Sequence, residues 1–149
     1  MQCLFTGLSL FFIVKFLVAT GCGPNGYIQK IEVLHLPDSD SDILNQYIPA
    51  RHGAISAVIN NKPIICGGNY YSEYFEDGFV LAQPQKKFKL TEKRADAASL
   101  LLNKNTLWVV GGESDLHVPL KTTEFIKFQE ETFHVTKGPN LPFSIRWIS

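Results

Sequence analysis

At 149 residues with 45% hydrophobic content, the chain is long enough for a domain with a sizeable core. Fourteen Lys plus Arg balance fourteen Asp plus Glu, and no basic stripe or arginine-rich arm breaks the balance. The positive footprint that neutralises many phosphates is missing, so nucleic acid is excluded as the expected partner. No Cys-x-x-Cys pair occurs, which disfavours a structural zinc site, and no metal or cofactor is expected.

Leu4 to Val14 is an almost uninterrupted apolar run, continued by Phe16 to Ala19. Ala19, Thr20 and Gly21 follow as a small-x-small pattern of the kind a signal peptidase accepts, so residues 1–21 are expected to be a hydrophobic signal helix, removed to leave a secreted chain that starts near Cys22. The alternative is an uncleaved N-terminal membrane anchor, against which stand the charge of Lys15 in mid-span and the short apolar length. Cys3 would leave with the signal, and Cys22 with Cys66 is then a candidate disulfide. The competing reading makes Cys66 a small buried hydrophobe inside Pro63-Ile64-Ile65-Cys66.

Residues 22–48 hold an N-terminal strand region and an acidic loop. Tyr27 to Leu36 alternates like one strand or a hairpin, and is not expected to complete a sheet of its own. Asp38, Asp40 and Asp42 alternate like the first ligands of an EF-hand loop, but Ile43 and Pro49 occupy the positions that need Gly and Glu, so an exposed acidic turn is expected.

From residue 49 the chain repeats itself. Arg51-His52-Gly53-Ala54 leads into Ile55 to Ile59, a turn at Asn60-Asn61-Lys62, and Pro63 to Cys66 rising into Gly67-Gly68. Arg94-Ala95-Asp96-Ala97 leads into Ala98 to Leu102, a turn at Asn103-Lys104-Asn105, and Leu107 to Val110 rising into Gly111-Gly112. Arg51 to Arg94, Gly67 to Gly111 and Phe88 to Phe133 are spaced 43, 44 and 45 residues apart. Short β-branched and aromatic runs between Gly, Asn, Asp and Pro predict strands near 54–59, 63–66, 78–82 and 86–90, then 97–102, 107–110, 123–128 and 132–136. Asn tolerates positive φ and suits the tight hairpins.

A hydrophobic strand running into Gly-Gly, then an apolar residue, then an aromatic one, resembles the kelch repeat: Gly67-Gly68 with Leu81 and Phe88, and Gly111-Gly112 with Ile126 and Phe133. Kelch repeats usually carry Tyr and Trp at the last two positions. The resemblance implies an all-β fold of antiparallel four-stranded kelch blades, with repeats at 49–92 and 93–137 and the start of a third at 138–149, where Gly138 to Pro142 precedes Arg146. Two blades fall short of the four to eight that close a propeller, so an incomplete β-propeller is expected, as a fragment of a larger ring or, alternatively, closed by several chains.

In kelch proteins the loops between strands form the binding faces, which projects onto Tyr70, Tyr71 and Tyr74 in the first repeat and onto Glu113, Asp115 and His117 in the second. Exposed Tyr is a frequent interface anchor. Arg51, Arg94 and Arg146 recur where arginines of some kelch propellers grip acidic peptides, while the alternative has them bonding loop carbonyls between blades; His52 reads as structural. The expected function is a secreted protein-binding module of unidentified partner. The alternative is the N-terminal part of a kelch-like enzyme acting on carbohydrate, an oxidase or a sialic-acid-modifying enzyme, although His35, His52, His117 and His134 show no paired metal spacing. No catalytic residue stands out.

Overall fold

The computed structural model describes residues 7–10, 15–23, 26–35, 40–44 and 46–146 except 82 and 84, with side chains described from residue 46 onward. The chain divides into two units, 1–52 and 53–149.

The first unit holds β1 (Gly7–Leu10), β2 (Lys15–Gly23), β3 (Gly26–His35) and β4 (Asp40–Leu44) in one antiparallel sheet, in that order. β2 and β3 form its long hairpin, with Cys22 opposite Tyr27 at one end and Lys15 opposite His35 at the other. β4 returns along β3 with Asp40 opposite His35. This corrects three expectations. At its described residues the apolar N-terminal segment is strand rather than helix, 27–35 belongs to a complete four-stranded sheet, and Asp40 and Asp42 lie on an outer strand rather than in an acidic turn; Leu36 and Asp38 lie outside the described residues. The reason is pairing. β3 alternates with period two, and a helix in place of β2 would leave one edge of its backbone without hydrogen-bond partners, whereas Phe16, Leu17 and Val18 favour strand. Cleavage after Gly21 would remove β1 and most of β2, so cleavage and a complete first sheet exclude one another. Beyond β4, Ile48, Ala50 and Arg51 are buried, and the Nε of Arg51 donates to the Pro49 carbonyl at 3.1 Å.

The second unit carries the repeats. β5 (Ile55–Ile59), β6 (Lys62–Cys66), β9 (Asp77–Val80) and β10 (Lys87–Lys89) form one antiparallel sheet, interrupted in sequence by a small ribbon of β7 (Asn69–Tyr70) and β8 (Glu73–Tyr74). β11 (Ala98–Asn103), β12 (Thr106–Val110), β15 (Thr123–Gln129) and β16 (Thr132–Lys137) form the next, interrupted at the same place by a ribbon of β13 (Glu113–Ser114) and β14 (Val118–Pro119) around a 3-10 turn, Asp115–His117. These strands fall where the alternating runs place them, within one or two residues.

The Gly pairs explain the matching topology. Gly67 and Gly68 have φ of 63° and 90°, Gly111 and Gly112 of 60° and 94°, values that L-residues rarely adopt. A Cβ on Gly67 would lie 2.5 Å from the Arg94 carbonyl oxygen, and one on Gly111 2.5 Å from that of Ile145. The amides of Gly68 and Gly112 donate to those same two carbonyls at 2.8 Å each. Each pair is therefore the point where one repeat bonds to the lead-in of the next. Ile145, and not Arg146, occupies the position equivalent to Arg94.

The two repeat hairpins close differently. Asn60 and Asn61 both have positive φ, the two-residue turn that matches strand twist. The second turn instead uses the Asn103 Oδ1, which accepts from the Asn105 amide at 2.9 Å, and a bulge between Leu101 and Asn103 absorbs the extra residue.

The two repeat sheets share one core. Ile55, Ala57, Ile59, Ile64, Cys66, Val80, Phe88 and Leu90 meet Leu107, Val109, Ile126 and Phe128, with Ala97, Phe133 and Val135 at the margin. Leu81 is also buried, beside β9. Phe88 and Phe133 stand in different registers: Phe88 lies opposite Gly78, Phe133 opposite Phe128. Their rings nonetheless meet, 5.1 Å apart between centroids, and the Phe128 ring lies 5.0 Å from that of Phe133, tilted by 54°. Gly78 is required because any Cβ there would run into the Phe88 ring. We expect Phe88→Ala to cost about 3 kcal/mol and Gly78→Val to destabilise through the same contact, both read from urea unfolding midpoints. A Gly78→Val chain as stable as wild type would contradict the packing.

Candidate functional site

Two polar clusters are built on the ends of the repeat strands. The first surrounds Arg94. Its backbone belongs to the first repeat, since its amide donates to the Phe75 carbonyl at 3.2 Å and its carbonyl accepts from Gly68. Its side chain reaches the second, where Nε donates to Glu124 at 2.7 Å, Nη1 to the Gly111 carbonyl at 2.6 Å and Nη2 to the Thr122 hydroxyl at 3.2 Å, while Nη2 also donates to Glu92, two residues back at the end of the first repeat, at 2.7 Å. Thr122 donates in turn to Glu92, and the second oxygen of Glu124 accepts from the Thr91 amide at 2.5 Å. The side chains of Arg94 and Glu124 are both wholly inaccessible to solvent. A planar guanidinium with its donors committed in this way joins successive repeats and presents no free face. Arg51 is equally buried.

The second cluster centres on Glu113, the residue after the Gly pair. Tyr74 reaches it from the first ribbon, donating its hydroxyl to Oε1 at 2.6 Å. His117, at the end of the 3-10 turn, places Nδ1 2.7 Å from the same oxygen and 2.9 Å from the Tyr74 hydroxyl. Arg146 donates to Oε2 at 3.1 Å and to the His117 carbonyl at 3.4 Å. With Tyr74 and Nδ1 of His117 both donating, the carboxylate is satisfied from three directions. Burial alone would raise the Glu113 pKa, but the hydrogen bonds from Tyr74, His117 and Arg146 outweigh it and hold the carboxyl below its ordinary value. Burial, then the hydrogen bond and charge of Glu113, push the Tyr74 phenol above its ordinary value, so it stays protonated through neutral pH.

Around this cluster the chain is strained and apolar at once. Leu116 and His117 have φ of 61° and 59°, and Leu116 is 88% exposed. Val118 and Phe143 are also exposed. On the other ribbon Tyr71 sits at positive φ on the turn tip, exposed, with its ring 4.6 Å from that of Tyr70. Tyr74 is the one of the three tyrosines that turns inward, and its ring lies 6.0 Å from the His117 imidazole. Asp115 pairs with Lys93 at 3.8 Å at the surface, an interaction of small value. The structure thus brings Tyr74, Glu113 and His117 together, leaves Tyr71 at the surface, and sets Arg94 apart in the interior. Glu124, Glu92 and Thr122 were not anticipated from the sequence; the signal for Glu124 is a carboxylate directly before Phe125 and Ile126 in the second repeat's third strand, where an unpaired buried charge is costly. In the first repeat the residue equivalent to Glu113 is Asn69, buried, donating Nδ2 to the Tyr71 carbonyl at 3.0 Å, its Oδ1 without a hydrogen-bond partner among the described residues.

No protein-family model matches the chain, and no curated protein matches it. Among solved structures it is similar to that of YjhT, with a TM-score of 0.71 and 14% identity over 94% of this chain and 53% of that one. At that identity the likeness concerns the fold: a propeller-like, all-β arrangement of antiparallel four-stranded sheets. The chain spans about half the length of the YjhT chain it matches.

Each cluster gives its own prediction. Removing one partner of a buried ion pair costs about 3–5 kcal/mol, and we expect that of Glu124→Gln. Hydrogen bonds to a charged group contribute about 1.5–3 kcal/mol, and we expect that loss for Glu113→Gln at pH 7. Because the folded Glu113 pKa is depressed, its contribution is complete above the unfolded value of about 4.3 and disappears as pH falls through the lower folded value. Urea unfolding of wild type and Glu113→Gln should converge in acid; an unchanged difference would contradict the assignment.

Proposed function

We propose that the chain is a kelch-type binding module whose partner is a protein, held by the surface that the two ribbons and the 141–146 segment form. The observation that carries this reading is the buried Glu113 cluster beneath an exposed leucine. A leucine at positive φ costs on the order of 1–3 kcal/mol, and such strain persists only where the surroundings over-determine it. Here the bonds of Glu113 to Tyr74, His117 and Arg146 fix the turn, with Leu116 facing solvent. A rigid turn that presents an apolar side chain, on a surface where Tyr71, Val118 and Phe143 are also exposed, loses little further entropy when a partner covers it. The half-exposed Arg146 and the exposed His117 supply a polar rim of the kind protein interfaces carry. Two Gly-Gly repeats in register, each followed by a buried apolar residue, support the kelch reading. The apolar N-terminal segment and the small residues Ala19, Thr20 and Gly21 after it support export.

Peptides selected from a displayed library against the whole chain test the reading. Leu116→Asp and Tyr71→Ser should each weaken their binding about tenfold, or about 1.4 kcal/mol, with the melting temperature unchanged. Selected peptides that bind both variants as tightly as wild type, or turnover of a carbohydrate by wild type that both variants retain, would contradict it.

A further inference from the structure

Glu113 fixes not only where the His117 ring lies but which of its nitrogens carries the proton. Burial would raise the Glu113 pKa, yet the hydrogen bonds from Tyr74, His117 and Arg146 hold it below its ordinary value, and an ionised carboxylate only accepts. The single proton of the Tyr74 phenol goes to Oε1 at 2.6 Å. The phenol oxygen, 2.9 Å from Nδ1, then has only lone pairs to offer the ring. Nδ1, 2.7 Å from Oε1, thus meets two acceptors and is the donor, which in a neutral imidazole leaves Nε2 with a bare lone pair. That atom has no hydrogen-bond partner among the described residues. It belongs to a side chain that is 66% exposed, next to Leu116, on a turn held at positive φ. The other charged groups of the cluster are already engaged. Arg146 balances Glu113 through Oε2 at 3.1 Å and bonds the His117 carbonyl at 3.4 Å. Asp115 of the same turn pairs with Lys93 at 3.8 Å, and Asp96 acts as a charge on Tyr74. The ring is therefore required in the cluster as a donor and not as a cation.

We propose that Nε2 of His117 is the atom by which this surface selects its partner, accepting a hydrogen bond from a donor group set beside the apolar group that covers Leu116. The donor is an amide, a hydroxyl or an ammonium of the partner; a carboxylate in its place would meet a lone pair. The inference rests on the protein-binding reading and adds to it the chemistry of the partner and a dependence on pH. Imidazole gains its second proton between about pH 8 and pH 5, and that proton turns the Nε2 acceptor into a donor. The bonds of Glu113 persist through the same interval, since its carboxyl titrates lower. The turn then keeps its shape while the polarity of its exposed nitrogen reverses.

Two measurements on the whole chain test the proposal. Nitrogen NMR of the free chain at about pH 8 should show Nδ1 of His117 protonated and Nε2 bare. Histidine-free peptides selected from the displayed library at that pH should lose about tenfold or more of their affinity at about pH 5, with the chain folded at both by circular dichroism. His117→Leu, which removes the acceptor, should weaken them about tenfold at the higher pH. His117→Gln, which keeps an acceptor and does not titrate, should abolish the pH dependence. A bare Nδ1 in the free chain, peptides that bind more tightly in acid, or a pH dependence that survives His117→Gln overturns the proposal. If Leu116→Asp weakens the peptides while pH and both His117 variants do not, the binding surface stands and His117 is not its recognition atom. If none of these changes has an effect, both readings fall.

Discussion

A four-stranded antiparallel sheet with apolar residues on both faces cannot stand alone in water, and the packing of one repeat sheet on the next is the constraint from which the rest of the second unit follows. Ile64 and Val80 from one sheet and Leu107, Val109 and Ile126 from the other are completely or almost completely buried between them. Each such side chain contributes about 1.5–3 kcal/mol relative to exposure. That requirement sets the strand register, because a slip of one residue would turn every one of these side chains to the wrong face. It also sets the approach of the chain at each Gly pair, where the lead-in of the next repeat comes too close for any side chain.

Arg94 completes the joint. Apolar packing has no direction, and two flat sheets could slide on one another. A guanidinium whose backbone is tied to the first repeat and whose donors end on Glu124, Gly111 and Thr122 of the second, with Glu92 of the first sharing one of them, fixes their relation. The neighbouring Glu113 cluster repeats the device nearer the surface, with Tyr74 of one ribbon bound to Glu113 of the next. There the outer partners, His117 and Arg146, remain half or more exposed, which is why this joint and not the Arg94 joint carries a candidate binding surface.

Much of this was legible in the sequence, and the failures have physical causes. The Gly pairs and Asn turns mark places where only certain φ values work, so the strands of the repeats were located almost to the residue. Spacing alone misjudged what fills a position. Phe88 and Phe133 recur at nearly the repeat length, yet Phe88 faces Gly78 while the equivalent pair in the next sheet is Thr123 with Gly138, whose Cβ would meet the threonine hydroxyl. Large and small have changed sides, which periodicity cannot show. Arg146 looked like the third member of the arginine series because the two earlier ones set the pattern, but the backbone bonds place Ile145 there and free Arg146 to reach Glu113. The first sheet was missed for a different reason: an apolar run such as Leu8 to Val18 satisfies the rules for a signal helix and for a pair of strands alike, and only the pairing with β3 distinguishes them.

The central claim is that two repeat sheets are joined through one shared core and one buried ion pair into a single cooperative body. Native-state hydrogen exchange resolved to the amides of β6 and β12 tests it most directly. The account predicts that the slowest amides of both strands exchange through the same opening, with equal free energy and equal dependence on urea. A β11–β12–β15–β16 sheet that opens at clearly lower free energy while β5–β6–β9–β10 stays closed would contradict it.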